Sequence, residues 1–161
     1  MKLPFSLGWG KPQKATEAQL KYESIEAETM QLIESYSAQV INMLHANIDT
    51  SLGFDEKAVN ILSDDLEGGR RKYNEEKKNI IANMYGAFLG KAIVQTQLGG
   101  AGKWVKYIDE VGILYNENSD TTPLIALPIN RAFEHIAKGD EYSIYSYFMA
   151  IPATISAAPK K

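Results

Sequence analysis

Nearly every position between residues 80 and 98 is apolar: IIANMYGAFLGKAIVQTQL. Between Ile80 and Val94 only Asn83 and Lys91 are strongly polar. A run that is apolar on nearly all sides predicts a buried helix, here over residues 74–98, with Glu75 and Glu76 in the first turn, where the helix dipole favours acids. Glu76, Asn79, Asn83, Lys91 and Gln95 fall mostly on one row of four-residue steps, the expected wet edge. Ala82, Gly86 and Gly90 form a second row almost without side chains. Glycine costs about 1 kcal/mol at a helix interior, so two of them predict a close approach by another element. The alternative is a ligand pocket over Gly86 and Gly90, walled by Tyr85, Trp104 and the aromatic last helix.

The same periodicity organises the flanks. Residues 16–47 predict a long helix capped by Thr16, with Ile25, Leu32, Ile33, Tyr36, Val40, Met43 and Leu44 as its apolar stripe. Asp55 is a suitable cap for a second helix over 56–67, with Phe54 as a staple and Gly68-Gly69 as its end. Gly99-Gly100-Ala101-Gly102 turns the chain. Residues 103–108, 111–115 and 124–127 read as short strands, with Asp109-Glu110 as a turn. Strand alternation puts Trp104 on the opposite face from Lys103 and Tyr107. Pro128 opens a helix over 129–138 that Gly139 closes. Asp140 caps an aromatic helix over 141–151, ending before Pro152. The expected architecture is α+β and mostly helical, with a small two- to three-stranded antiparallel sheet packed on the central buried helix. It comprises an irregular N-terminal segment (1–14), a single domain (15–152) and a disordered tail (153–161).

The chain of 161 residues is long enough to bury a core without staples. It contains no cysteine, which excludes disulfides, thiolate metal sites and a cysteine nucleophile. No apolar run reaches the length of a signal-peptide core or a membrane span, so a cytoplasmic location away from membranes is expected. The net charge of -3 conceals segregation. Residues 70–106 carry +6, eight lysines and arginines against Glu75 and Glu76, while 15–47 carry -4, 48–69 carry -5 and 107–158 carry -5. The cluster Arg70, Arg71 and Lys72 is the candidate basic patch. Its simplest role is to complement a helix end; the sharper one is to meet an acidic partner.

Candidate chemistry is sparse. His45 and His135 each stand alone, without HxxxH or HExxH spacing, so no metal site is expected. No serine sits in a GxSxG elbow. Asp64-Asp65, Asp109-Glu110 and Asp140-Glu141 are adjacent in sequence, and neighbours on a helix do not face each other. The GGAG turn follows a helix and precedes a strand, whereas a phosphate loop needs the opposite order. Lys103, Trp104, Lys106 and Tyr107 are too few, in too acidic a chain, to predict nucleic-acid binding. No catalytic residue and no cofactor is expected.

Several segments together resemble a family of small bacterial domains of unknown function, over about residues 54–152. They are Arg70-Arg71, the Gly86-Ala87-Phe88-Leu89-Gly90-Lys91 helix, the Gly102-Lys103-Trp104-Val105 strand, and the closing GDEYSIYSYFMAIP from Gly139 to Pro152. Two positions depart from that pattern. Lys91 stands where an acid is expected, and Ala101 widens the glycine turn. The resemblance implies a single α+β domain and no particular activity. The functional expectation is therefore a non-enzymatic protein-binding domain, of accessory or immunity type, whose partner is another protein. The alternative is a small-molecule binder or enzyme using the Gly86/Gly90 groove. The oligomeric state stays open.

Overall fold

The computed structural model describes residues 21–116 and 120–161. Within them, five α-helices accompany a four-stranded antiparallel sheet in the order β1-β2-β3-β4. The elements are β1 (Glu23–Ser24), α1 (Ala27–Asn47), α2 (Glu56–Gly69), α3 (Glu75–Ala92), β2 (Lys103–Tyr107), β3 (Glu110–Tyr115), β4 (Leu124–Ala126), α4 (Pro128–Lys138) and α5 (Ile144–Ser156). The α+β, mostly helical architecture is the one the periodicity predicts, with one strand more.

That strand, β1, lies in the stretch read as the start of the first helix. Glu23 and Ser24 pair with Lys106 and Val105 on the sheet edge. The helix begins only at Ala27, after Glu26, which makes no side-chain cap. Local propensity loses here because the unpaired edge of β2 offers the chain ladder hydrogen bonds. The expected Thr16 cap and residues 1–14 lie outside the described residues.

α1 buries Ile33, Ser37, Val40 and Leu44, and the Ser37 hydroxyl donates to the Ile33 carbonyl at 2.8 Å. His45 Nε2 bonds the Leu52 carbonyl at 2.6 Å and closes the following loop. α2 starts as expected, its Asp55 carboxylate accepting from Ala58 N at 3.0 Å. α3 starts from Asn74, whose side chain accepts from Lys77 N at 2.8 Å. It is buried through the Tyr85–Gly90 stretch and unwinds into a π turn over Ile93–Gln97. The predicted wet edge holds in part. Gln95 is exposed, but Asn83 is buried and donates to the Asn79 carbonyl at 2.8 Å.

The inner face of the sheet meets the helices through Trp104, Val111, Ile113, Tyr115, Leu124 and Ala126. α3 packs most extensively on α4 and α1, while α2 carries α5. The turn joining β2 to β3 is Ile108-Asp109, at φ 44° and 59°. Glu110, read as part of that turn, is a buried strand residue.

The C-terminal end is not the disordered tail expected. α5 runs through Pro152 to Ser156. Interior proline costs a helix about 3 kcal/mol, but Ile155 and Ala158 beyond it pack on the main core. Thr122 N then donates to the Pro159 carbonyl at 2.8 Å, and Lys161 N to the Asp120 carbonyl at 2.9 Å.

Candidate functional site

The row of small residues on α3 is filled by protein. A Cβ built at Gly86 would fall under 3.0 Å from Ile129 Cα, and one at Gly90 equally close to the Trp104 ring, with Pro128 Cγ at 3.1 Å. The glycines are thus where the first turn of α4 and the indole press onto the α3 backbone. This corrects the pocket reading, since no ligand space exists over Gly86 and Gly90. Tyr85 is no wall of it either. Its buried hydroxyl donates to Asp65 Oδ2 on α2. Burial and that carboxylate push its pKa far up.

The close crossing creates an open groove elsewhere. α3 and α4 touch at Gly86 and Ile129. Seven residues before the first and seven after the second stand Asn79 and Ile136. Two helices that cross at an angle diverge along their length, and about two turns from the crossing the gap is a cavity of about 720 Å³. Glu75, Glu76, Lys78 and Asn79 line it from α3, and Phe133, Ile136 and Ala137 from α4. Its floor is apolar and its rim charged. Lys78 is paired with Glu75 at 3.0 Å.

The basic patch divides. Arg70 is largely buried, with Nε 3.3 Å from Glu67 Oε1 and Nη1 donating to the Ile136 carbonyl at 3.2 Å. It ties the end of α2 to the end of α4. Arg71 and Lys72 are exposed.

A polar cluster that the sequence reading missed surrounds His135. The ring is fully buried, and its Nε2 lies 3.0 Å from Glu67 Oε2. Glu67, His135 and Asp140 bring one ligand atom each within 4.8 Å of one another, a donor set of the kind that holds a divalent cation. The second ring nitrogen argues against that use. Ile144 N donates to His135 Nδ1 at 3.3 Å, so a neutral ring carries its proton on Nε2, aimed at Glu67. A metal at Nε2 would need that proton moved to Nδ1, against the Ile144 N–H. Arg70 on the same carboxylate adds repulsion for a cation. Burial holds the His135 pKa below its ordinary value even against the attraction of Glu67. Burial acts to raise the Glu67 carboxyl, but its bonds from His135 and Arg70 prevail and lower it. The arrangement is a hydrogen-bonded clamp, a neutral imidazole on an ionised carboxylate, joining α2, α4 and the start of α5.

Arg131 and Glu134, one turn apart on α4, are both buried, with Nη1 and Oε2 3.7 Å apart. Arg131 Nε also donates to the Ser143 carbonyl at 3.3 Å, and its guanidinium lies over the Tyr142 and Tyr147 rings at 5.2 and 5.4 Å. Burial pushes the Glu134 pKa up in spite of Lys138 and Arg131. The sequence signal for all this was the polar pattern Asn130-Arg131-x-x-Glu134-His135. Read alone, it resembles the solvated face of an amphipathic helix, because neither Glu67 nor the Arg131 carbonyl partners are near in sequence.

Among the described residues, no helix is long and apolar enough to cross a membrane. In comparisons of the chain, no protein-family model, no curated protein and no solved structure matches it.

Proposed function

We propose that the chain is a non-enzymatic protein-binding domain, of accessory or immunity type, that receives apolar side chains of a protein partner in the α3–α4 groove. The observation that carries this reading is the groove itself, with a floor of Phe133, Ile136 and Ala137 under a rim of Glu75, Glu76 and Lys78. An apolar centre within a charged rim is the usual anatomy of a protein contact. Two further facts support it. The space over Gly86 and Gly90 is occupied by Ile129, Trp104 and Pro128. The His135 cluster is locked by main-chain and carboxylate bonds rather than poised for proton transfer. The resemblance over residues 54–152 implies a single domain with no particular activity and is compatible with this role.

The test places a photo-crosslinking amino acid at Glu76 or Ala137, both of which line the groove, in living cells, with Gln39 on the exposed side of α1 as control. The expected result is one discrete protein adduct from both groove positions, absent from Gln39, with the adduct from position 76 abolished by Ala137→Glu. Equal labelling at all three positions, or none at the groove, would refute the proposal.

A further inference from the structure

The charges at the α3–α4 groove say what its partner carries. Arg70 Nη1 donates to the Ile136 carbonyl on one wall of the groove at 3.2 Å, and Glu75 begins the other wall. Residues 71–74 therefore pass from beside one wall to the start of the other. This turn holds Arg71 and Lys72, both exposed.

The charges around them are already engaged. Lys78 pairs with Glu75 at 3.0 Å, Arg70 with Glu67 at 3.3 Å, and Lys138 lies 3.9 Å from Glu134. Lys77 sits over the Tyr73 ring at 4.8 Å. Glu76 stands in the first turn of α3, where the positive end of the helix dipole balances it. Arg71 and Lys72 enter no ion pair among the described residues. They do not serve the end of α2, whose last turn holds no basic residue, and the Ile136 carbonyl near the end of α4 is taken by Arg70. Over residues 71–78, four cations against two acids leave a surplus of +2, in a chain whose net charge is -3.

Charge of one sign at the rim of a contact selects the partner by sign and speeds its arrival. The floor contributes the shape. Phe133, Ile136 and Ala137 stand three and four residues apart on α4, a spacing that matches apolar side chains repeating at the same interval on a helix laid into the groove. We propose that the segment seated in the α3–α4 groove is an amphipathic helix of the partner, with its apolar face on Phe133, Ile136 and Ala137 and an acidic flank against Arg71 and Lys72. This rests on the reading of the groove as a protein-binding site.

The experiment places benzoylphenylalanine at Ala137 of the full-length chain in living cells, which leaves every charge in place, and sequences the captured peptide by mass spectrometry. The expected peptide has apolar residues at helical spacing and a net negative charge. Arg71→Glu/Lys72→Glu should cut the adduct yield about tenfold, whereas Arg71→Lys/Lys72→Arg should retain it. The captured peptide, made synthetically, should bind the purified chain severalfold more weakly when salt rises from about 0.05 to about 0.5 M. The peptide's sequence and its salt dependence decide the matter independently of how the charge-reversed chain folds. A neutral, basic or non-amphipathic peptide, or an affinity indifferent to salt, would overturn the acidic helix and leave the groove a protein site. No adduct at all would overturn both.

Discussion

Replacing Gly86 by alanine tests the helix crossing on which the rest of the architecture depends. The substitution removes the glycine penalty of about 1 kcal/mol in a helix interior, so with free space it would stabilise the protein. The space is not free. The new Cβ would fall under 3.0 Å from Ile129 Cα, with Ile129 Cγ1 at 3.0 Å and Cβ at 3.1 Å. The obstacle is backbone, so no rotamer change relieves it, and α4 must move off α3. Movement of α4 also loosens Pro128 and Trp104 over Gly90. Overpacking of this kind costs typically 1–3 kcal/mol, and a backbone clash belongs at the upper end. The expected net loss is about 2 kcal/mol, or about 4–8 °C in Tm for a chain of this size. Thermal unfolding followed by circular dichroism measures it. Gly68→Ala is the internal control, since a Cβ there meets nothing within 4 Å, and a gain of about 0.5–1 kcal/mol is expected. A Gly86→Ala protein as stable as wild type, or more so, would refute the close crossing and reopen the pocket.

Three further outcomes follow from other parts of the molecule. Ile108, at φ 44° and 60% exposed, is a β-branched residue in a left-handed turn, a conformation costing about 1–2 kcal/mol. Ile108→Asn should raise the urea midpoint by the equivalent of about 0.5–1 kcal/mol, and a lower midpoint would contradict the turn geometry. His135 has its folded-state pKa lowered by burial, so the unfolded chain takes up that proton first. Its contribution to stability is present above about pH 6.5 and lost as pH falls below that value. Denaturant unfolding between pH 7.5 and 5 should show the loss, and His135→Gln should flatten that slope. Tyr85→Phe removes the bond to Asp65. It should cost about 1 kcal/mol in denaturant unfolding, because Asp65 can turn to water.

The groove between α3 and α4 was not legible in the sequence, although its parts were. Glycine rows at Gly86 and Gly90 announce a close approach but not the element that makes it. A ligand and a helix satisfy the same local pattern, and only the position of Ile129 distinguishes them. The open space then appears two turns from the crossing, between Asn79 and Ile136, and the wet-edge row that includes Asn79 does not say that α4 diverges from it there. His135 was hidden for a similar reason, because Glu67 is separated from it by 68 residues.

What the sequence determined by itself were the properties that neighbours along the chain decide. The caps at Asp55 and Asn74, the helix-favouring stripes, the buried character of α3 and the glycine turn before Trp104 are set by side chains within a few residues of one another. The tertiary structure decided whatever depends on long-range competition for burial and for hydrogen bonds. It made a strand of Glu23 and Ser24, carried α5 through Pro152 because Ile155 had core to reach, and turned the polar face of α4 inward onto Glu67 and the Ser143 carbonyl. A residue's chemistry limits which partners satisfy it, but which of them arrives is a matter of packing, and in this protein packing closed the groove over Gly86 and opened the one beside Ile136.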